Sequence, residues 1–213
     1  MRIIFEDNHL LVVEKPVNTP MQADDSKDKD LLTMAKEYLK VTYHKPGNVY
    51  LGLVHRLDRP VSGVCVFAKT SKAAERLSAQ IAKRELKKTY LAVVIDNGLA
   101  DSGTFKDRLL KDRRTNTVRV DPEGKEASLD YCLLKRKDGL ALVEVHLHTG
   151  RSHQIRVQFA SRNHALYGDQ RYNKLAQSGQ QIALHAYQLT FKHPVTKEEM
   201  TFTSPVERYP FKI

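Results

Sequence analysis

The sequence predicts an α+β fold in which a mixed, mostly antiparallel sheet is flanked by helices. Short apolar runs typical of strands recur along the chain, and three segments carry apolar residues at helical spacing. Neither an internal repeat nor a Pro/Gly/Ser-rich linker divides the 213 residues. We therefore expect a single catalytic or binding domain that covers residues 1–213.

Seven apolar runs have the length and composition of strands. In chain order they are residues 3–5, 10–13, 63–69, 90–95, 128–134, 140–147 and 188–192. The first two flank the turn-forming pair Asp7-Asn8 and predict a hairpin that Pro16 ends. The charged stretch from Asp101 to Lys125 predicts a further hairpin.

The three helical segments each begin beside a residue that favours a helix N-cap. These candidate caps are Asp30, Ser71 and Ser152. The first helix is expected to extend to about Lys40. The second has one apolar face and an opposite basic face, which predicts that it packs on the sheet and exposes its charges to solvent.

Positive charge is concentrated in two segments. The chain has 35 Lys and Arg residues against 25 Asp and Glu residues, a formal net charge of +10. Residues 69–88 have a net charge of +5, and residues 106–119 have a net charge of +4. A localised excess of this kind favours an anionic partner, whether nucleic acid, another phosphate compound or a membrane surface.

The apolar runs and the two cysteines argue against a membrane-spanning protein, a secreted protein and a disulfide or zinc protein. No apolar run approaches the roughly 18 residues that a membrane helix needs, and the N-terminus turns polar too early for a signal peptide. Cys65 and Cys132 each lie in an apolar run, which is typical of packed thiols and not of a disulfide or a zinc site. We therefore expect a cytoplasmic protein without a membrane partner.

The stretch from Val54 to Gly63 combines charged, titratable and turn-forming residues before a predicted buried strand. It reads Val-His-Arg-Leu-Asp-Arg-Pro-Val-Ser-Gly. Loops at strand ends often carry chemistry, although an Asp near Pro and Gly also commonly stabilises a turn. Arg56 and Arg59 would keep Asp58 ionised at neutral pH, and an ionised carboxylate suits a nucleophile or a charge-stabilising group better than a general acid.

A second stretch, from His148 to Arg156, places two arginines at a predicted turn between a strand and a helix. Arg156 follows the inward-facing Ile155, so we expect it to be partly buried and to need an anionic partner, for which we choose Asp58. Arg151 could neutralise a phosphate. Either arginine, taken alone, is also compatible with a solvated position on a helix.

Together these stretches resemble the RluA-type family of pseudouridine synthases. The resemblance is carried by residues 55–63, His-Arg-Leu-Asp-Arg-Pro-Val-Ser-Gly, and by residues 147–157, Leu-His-Thr-Gly-Arg-Ser-His-Gln-Ile-Arg-Val. Shorter matches occur in the family's order at residues 6–16, 88–90, 167–169, 184–186 and 191–194. The chain departs from the usual family pattern at residues 60–61, 158 and 164–166, none of which is the aspartate or the arginine.

The resemblance implies the pseudouridine synthase catalytic fold and an RNA pseudouridine synthase that acts on ribosomal or transfer RNA with no metal or other cofactor. Asp58 would be the catalytic aspartate, acting as nucleophile or as base on a flipped-out uridine whose base detaches, rotates and rejoins the ribose through C5. Tyr90 would stack on that base, and Arg156 would pair with the aspartate. Base flipping costs about a few kcal/mol, and stacking of the base on an aromatic side chain can offset this cost.

Basic residues near these motifs are candidate substrate-binding residues. They are His55, Arg56, Arg59, Arg151, Lys83, Arg84, Lys87 and Lys88. Many relatives carry an N-terminal RNA-binding domain of the S4 type, and we expect this chain to lack one because only two residues precede the first predicted strand. We expect a monomer whose catalytic domain binds RNA by itself.

Two other interpretations stay open. A non-catalytic RNA-binding protein would show the same positive charge but would not need Asp58. A metal-dependent enzyme could combine two histidines with a carboxylate, drawn from His55, Asp58, His146, His148 and His153. The neighbouring arginines would repel a cation and so disfavour a metal at these positions.

Overall fold

The computed structural model describes all 213 residues, which form two compact units. The first unit contains residues 1–86 and 186–205, and the second contains residues 87–185 and 206–213. Each unit is therefore assembled from two separate segments of the chain.

Eleven strands and three helices follow one another along the chain. The strands are β1 (Arg2–Glu6), β2 (Leu10–Lys15), β3 (Gly52–Leu53), β4 (Ser62–Ala68), β5 (Lys87–Ile95), β6 (Ser102–Asp112), β7 (Thr117–Val120), β8 (Lys125–Lys137), β9 (Leu140–Leu147), β10 (Leu184–Lys192) and β11 (Glu199–Thr203). The helices are α1 (Leu31–Thr42), α2 (Ser71–Ala82) and α3 (Gln154–Ala160).

The first unit is built on strands in the order β1, β2, β4 and β10, with β3 paired to β4 and β11 paired to β10. The β1–β2, β2–β4, β3–β4 and β10–β11 pairs are antiparallel. Every residue of β4 is buried. Val64 and Val66 point into an apolar core that also contains Leu77 of α2 and Phe191 of β10, so the apolar face predicted for α2 does pack on the sheet.

Two of the predicted helix starts can be compared with the structure in this unit. Asp30 caps α1, because its Oδ1 accepts the backbone N–H of Thr33 at 3.0 Å. The cap of α2 is Thr70 and not Ser71: Thr70 has extended backbone angles and its hydroxyl accepts the N–H of Ala73 at 3.1 Å. Ser71 is already the first helical residue.

The second unit is an antiparallel sheet in the order β5, β9, β8, β6 and β7. The hairpin predicted between Asp101 and Lys125 is present as β6 and β7. Phe105, Tyr131 and Phe159 of α3 form an aromatic cluster with ring centroids 4.9 to 5.4 Å apart. This cluster fixes α3 against the sheet.

Helix α3 begins differently from the sequence prediction. His153, in the left-handed conformation with φ 51°, precedes the helix, and no side chain caps it, so Ser152 is not the N-cap. A left-handed residue turns the chain sharply at the point where the His148–Arg156 stretch enters α3.

The predicted α+β class and mostly antiparallel sheet are confirmed. The short strands β3 and β11 were not predicted. The longest helices have 12 residues, and none of the three is long and apolar enough to cross a membrane.

Candidate active site

The loop that carries Asp58 enters β4 in the first unit. His55 and Val61 are buried, Asp58 and Arg59 are half-buried, and Arg56 is exposed. The backbone N–H of Val61 donates to the carbonyl oxygen of Asp58 at 3.0 Å and closes a tight turn. The main chain of Asp58 thus takes part in the turn that leads into β4.

His55 anchors this loop to the sheet. Its Nε2 accepts the backbone N–H of Val66 in β4 at 3.1 Å, and the side chain is buried. Because Nε2 is an acceptor here, it carries no proton. This contact fixes the position of the residue three before Asp58; a role of His55 in RNA binding stays a prediction.

A buried lysine lies under the turn. Lys15, at the end of β2, is fully buried, and its Nζ donates to the carbonyl oxygens of Pro16 at 3.0 Å, Arg59 at 2.8 Å and Val61 at 2.6 Å. These bonds use all three protons of the ammonium. Burial lowers the pKa of Lys15 to about 8, and the charge of Asp58 acts in the opposite direction.

Lys15 is a site residue that the sequence reasoning missed. Its signal is a lysine two positions after the apolar run 10–13 and directly before Pro16. Lysines at strand ends are usually exposed, so this pattern gives no indication of burial.

Gly63 closes the same stretch with a backbone that only glycine adopts readily. Its φ is +124°, and a Cβ built on it would lie 2.2 Å from the carbonyl oxygen of Ala186. The close approach of two backbones, and not loop flexibility, is therefore the reason for glycine at this position.

Arg59 contacts an acidic loop of the first unit. Its guanidinium forms ion pairs with Asp28 and, at 3.4 Å, with Asp24. All three side chains are substantially exposed, and ion pairs of this kind contribute little to stability. A phosphate group could therefore replace these carboxylates at low cost.

In the second unit, Arg156 has the buried anionic partner that its position on α3 predicts. Its Nε donates to Oδ2 of Asp169 at 2.8 Å and its Nη2 donates to Oδ1 at 2.7 Å. The side chains are 6% and 0% exposed. The sequence reasoning named Asp169 only as part of a family match, and the pairing of Arg156 with Asp58 stays a prediction.

Gln154 holds the turn that precedes α3. Its Oε1 accepts the hydroxyl of Thr149 at 2.7 Å and the backbone N–H of Arg151 at 3.0 Å, and its Nε2 donates to the carbonyl oxygen of Ser128 at 3.0 Å. Arg151 is exposed, and its Nε donates to the carbonyl oxygen of Glu126. The turn thus presents Arg151 from a fixed backbone.

Tyr90 and Lys88 lie on one face of β5, because residues two apart in a strand point the same way. Tyr90 is buried and pairs with Val145 in β9. Lys88 is partly buried, and its Nζ is the nearest atom, at 3.8 Å, to a Cβ built on Gly150. Burial lowers the pKa of Lys88.

The other predicted basic residues of this segment are exposed. Lys83 and Arg84 follow α2 in the first unit, and Lys87 begins β5 in the second. Lys88 is the partly buried member of the group.

Two of the histidines considered for a metal site contact carboxylates. His146 pairs with Glu144 at 3.0 Å, and Nε2 of His148 lies 2.6 Å from Asp130. No group of three or more His, Cys, Asp or Glu side chains is arranged to hold a metal ion.

Known proteins resemble this chain over nearly its whole length. Ribosomal large subunit pseudouridine synthase C of Vibrio parahaemolyticus is 33% identical over 214 residues, which cover 96% of this chain and 65% of that protein. The uncharacterized RNA pseudouridine synthase YhcT of Bacillus subtilis is 36% identical over 209 residues, covering 95% of this chain and 68% of that protein. The chain thus spans about two thirds of the length of these relatives.

Solved structures share the fold. Human RNA pseudouridylate synthase domain containing 4 superposes with a TM-score of 0.82 at 21% identity, over 99% of this chain and 90% of that one. Human RNA pseudouridylate synthase domain containing 1 gives a TM-score of 0.78 at 23% identity, over 96% and 83% of the two chains. The family model described as RNA pseudouridylate synthase matches residues 9–161. With this match and relatives above 30% identity, the chain belongs to the RNA pseudouridylate synthase family.

Proposed function

We propose that the chain is an RNA pseudouridine synthase that isomerises uridines in ribosomal or transfer RNA, with Asp58 as its catalytic aspartate. The main observation in favour of this proposal is the way in which the surrounding residues hold the Asp58 turn. Main-chain bonds and the buried ammonium of Lys15 hold the turn that carries the carboxylate. A side chain held in this way by its surroundings is suited to chemistry.

The reaction rearranges bonds without a change of oxidation state. The C1′–N1 bond of the uridine breaks, the base rotates, a C1′–C5 bond forms, C5 loses its proton and N1 gains one. Asp58 either attacks C1′ or removes a ribose proton, and both roles need an ionised carboxylate. No external reductant, oxidant or group donor enters the balance.

Tyr90 and Arg156 have separate roles in this proposal. Tyr90 offers an aromatic face to the flipped base, and its pairing with Val145 fixes its backbone in β5. Arg156 supplies positive charge at a fixed position, because the two bonds to Asp169 hold its guanidinium plane. It assists an anionic group that forms or persists during the reaction.

RNA is the partner that the charge distribution favours. Arg56, Arg59 and Arg151 lie on or beside the two motif turns, and the exposed cations of the segments 69–88 and 106–119 can contact phosphates. Several relatives carry names that refer to the ribosomal large subunit, so RNA of that subunit is the first substrate to test. The single catalytic domain, the monomeric state and the cytoplasmic location stay predictions.

The test compares wild type with Asp58→Asn on unmodified transcripts of bacterial large-subunit ribosomal RNA and of transfer RNA. We expect pseudouridine formation by the wild type and a rate at least about 10³-fold lower in the variant, as for loss of a catalytic group. RNA affinity should be nearly unchanged. Asp25→Asn, which changes an exposed aspartate of the same unit, is the matched control and should retain full activity.

Two results would contradict the proposal in different ways. Undiminished turnover by Asp58→Asn would overturn the role of Asp58. The second result is that the wild type binds RNA but forms no pseudouridine in either transcript, and that total RNA from cells with and without the gene gives the same pseudouridine map. That result would favour the non-catalytic RNA-binding protein.

A further inference from the structure

Tyr172 connects three parts of the second unit. Its hydroxyl accepts the backbone N–H of Val118 at 2.9 Å and lies 2.7 Å from Nδ1 of His153. Its ring lies over the guanidinium of Arg156, with Cζ of the arginine 5.1 Å from the ring centroid. One side chain therefore touches β7, the residue before α3 and the arginine of the proposed reaction.

The hydroxyl of Tyr172 is coupled to the tautomer of His153 by the hydrogen bond between them. Burial raises the pKa of Tyr172, so the phenol keeps its single proton at neutral pH. The oxygen accepts from Val118, and its 2.7 Å contact with Nδ1 of His153 joins the hydroxyl to the imidazole, with the donor set by the histidine's tautomer. A neutral His153 that accepts at Nδ1 carries its proton at Nε2 and offers a donor there.

Tyr172 and its neighbour Arg171 both contact the β6–β7 hairpin. Nη1 of the preceding Arg171 donates to the carbonyl oxygens of Thr115 and Asn116, at 3.0 and 2.8 Å, in the turn of that hairpin. Two consecutive residues thus hold the hairpin at its turn and at Val118. This hairpin carries the segment 106–119 with its net charge of +4, which we propose to contact RNA.

The backbone of His153 is consistent with an imposed position. A non-glycine residue at φ 51° is uncommon, and such a conformation persists where the surroundings fix it. The ring of His153 meets the ring of Tyr172 edge to face, with centroids 5.7 Å apart. Tyr172 therefore contacts this imidazole both through its hydroxyl and through its ring.

We propose that Tyr172 is a positioning residue for the isomerisation, which orients His153 through its hydroxyl and Arg156 through its ring, and ties both to the β6–β7 hairpin. The inference rests on the proposed function. It adds Tyr172 to the residues of the proposed site. It also explains how the hairpin that we propose to contact RNA is held in position relative to Arg156.

The variant Tyr172→Phe tests this role, because it keeps the ring over Arg156 and removes both hydrogen bonds. With the same RNA transcripts and saturating enzyme, we expect the single-turnover rate constant to fall about tenfold, which is typical of one or two hydrogen bonds that orient a reacting group. The dissociation constant for RNA should change little. The exposed Tyr50→Phe is the matched control and should behave as wild type.

A double-mutant cycle separates positioning from a general loss of stability. If Tyr172 acts through His153, adding Tyr172→Phe to His153→Ala should lower the rate by less than about twofold. An equal effect of Tyr172→Phe in both backgrounds would overturn the proposal.

Nitrogen NMR of labelled histidine supplies a readout that needs no activity. In the wild type we expect the Nε2–H tautomer at His153, and in Tyr172→Phe a mixture of tautomers. A wild-type His153 protonated only at Nδ1 would contradict the inference while leaving the proposed function intact. A wild type that forms no pseudouridine would overturn the proposed function, and the role of Tyr172 in isomerisation with it.

Discussion

Arg156 and Asp169 form a two-point ion pair inside the second unit, with Nε to Oδ2 at 2.8 Å and Nη2 to Oδ1 at 2.7 Å. Asp169 also accepts the backbone N–H of Arg171 at 3.1 Å. The carboxylate thus pairs with the arginine and holds its guanidinium plane. A buried pair of this kind makes the position of each partner depend on the other.

Asp169→Asn should destabilise the protein by about 3–5 kcal/mol, because it leaves the Arg156 charge buried without compensation. Urea unfolding measures the change, with the exposed Asp138→Asn of the same unit as the control. The double replacement Arg156→Met with Asp169→Leu should recover part of the stability but no activity. A loss below about 1 kcal/mol in Asp169→Asn, the value for exposed pairs, would contradict this account.

Lys15 should make stability depend on alkaline pH. The pKa is about 8 in the folded protein and 10.5 in an unfolded chain, so between these values only the unfolded chain binds the proton. The free energy of unfolding therefore rises as the pH increases from about 8 to 10.5, by up to about 3 kcal/mol. Lys15→Met should lack this contribution, which urea midpoints across the range would show.

The same measurement reports on Asp58. Its carboxylate favours the charged form of Lys15, so Asp58→Asn should lower the pKa of Lys15 further and move the start of the rise to lower pH. If the free energy of unfolding depends on pH in the same way in wild type and in Lys15→Met, Lys15 does not titrate in this range.

Gly63→Ala should destabilise the protein by at least about 2 kcal/mol, since the new Cβ would meet the Ala186 backbone at 2.2 Å. Gly98→Ala is the matched control: its φ is also positive, at +82°, but no atom lies within 4 Å of the added Cβ. That variant should lose only the roughly 1 kcal/mol of an unfavourable backbone conformation. Equal losses of thermal stability would mean that the backbone contact at Gly63 is unimportant.

Replacing Lys83, Arg84, Lys87 and Lys88 with alanine should weaken RNA binding and flatten its salt dependence. Each lost phosphate contact reduces the slope of log K against log salt by about 0.7 to 0.9. Lys135 and Lys137, exposed on β8, serve as the control pair. An unchanged slope would show that the segment does not contact RNA.

Much of the fold follows from the apolar pattern. Strand β9 has the predicted bounds, Leu140–Leu147, because its apolar residues recur between the Asp138-Gly139 turn and the polar residues that begin at His148. Strand β3 has only two residues, and β11 is a largely exposed strand with few apolar residues, so neither gives a strong pattern. The cap at Thr70 differs from the prediction by one residue, which is within the usual uncertainty of helix ends.

The candidate site was predictable as two motifs but not as a set of contacts. The Asp58 and Arg156 stretches stand out by their unusual concentration of charge. Their supports, Lys15 and Asp169, do not, because long-range burial and the choice of ion-pair partner depend on tertiary packing. No periodicity in a sequence encodes that a lysine bonds to carbonyls 44 and 46 residues away.

The division of the first unit into two chain segments affects its folding during synthesis. Strand β4 is buried throughout and neighbours β10, yet residues 87–185 must leave the ribosome before the rest of β10. Until then one edge of β4 lacks its neighbour, which is a hazard for misassociation of nascent chains. The contact between Gly63 and Ala186 therefore forms late in translation, and a fragment of residues 1–86 cannot make it.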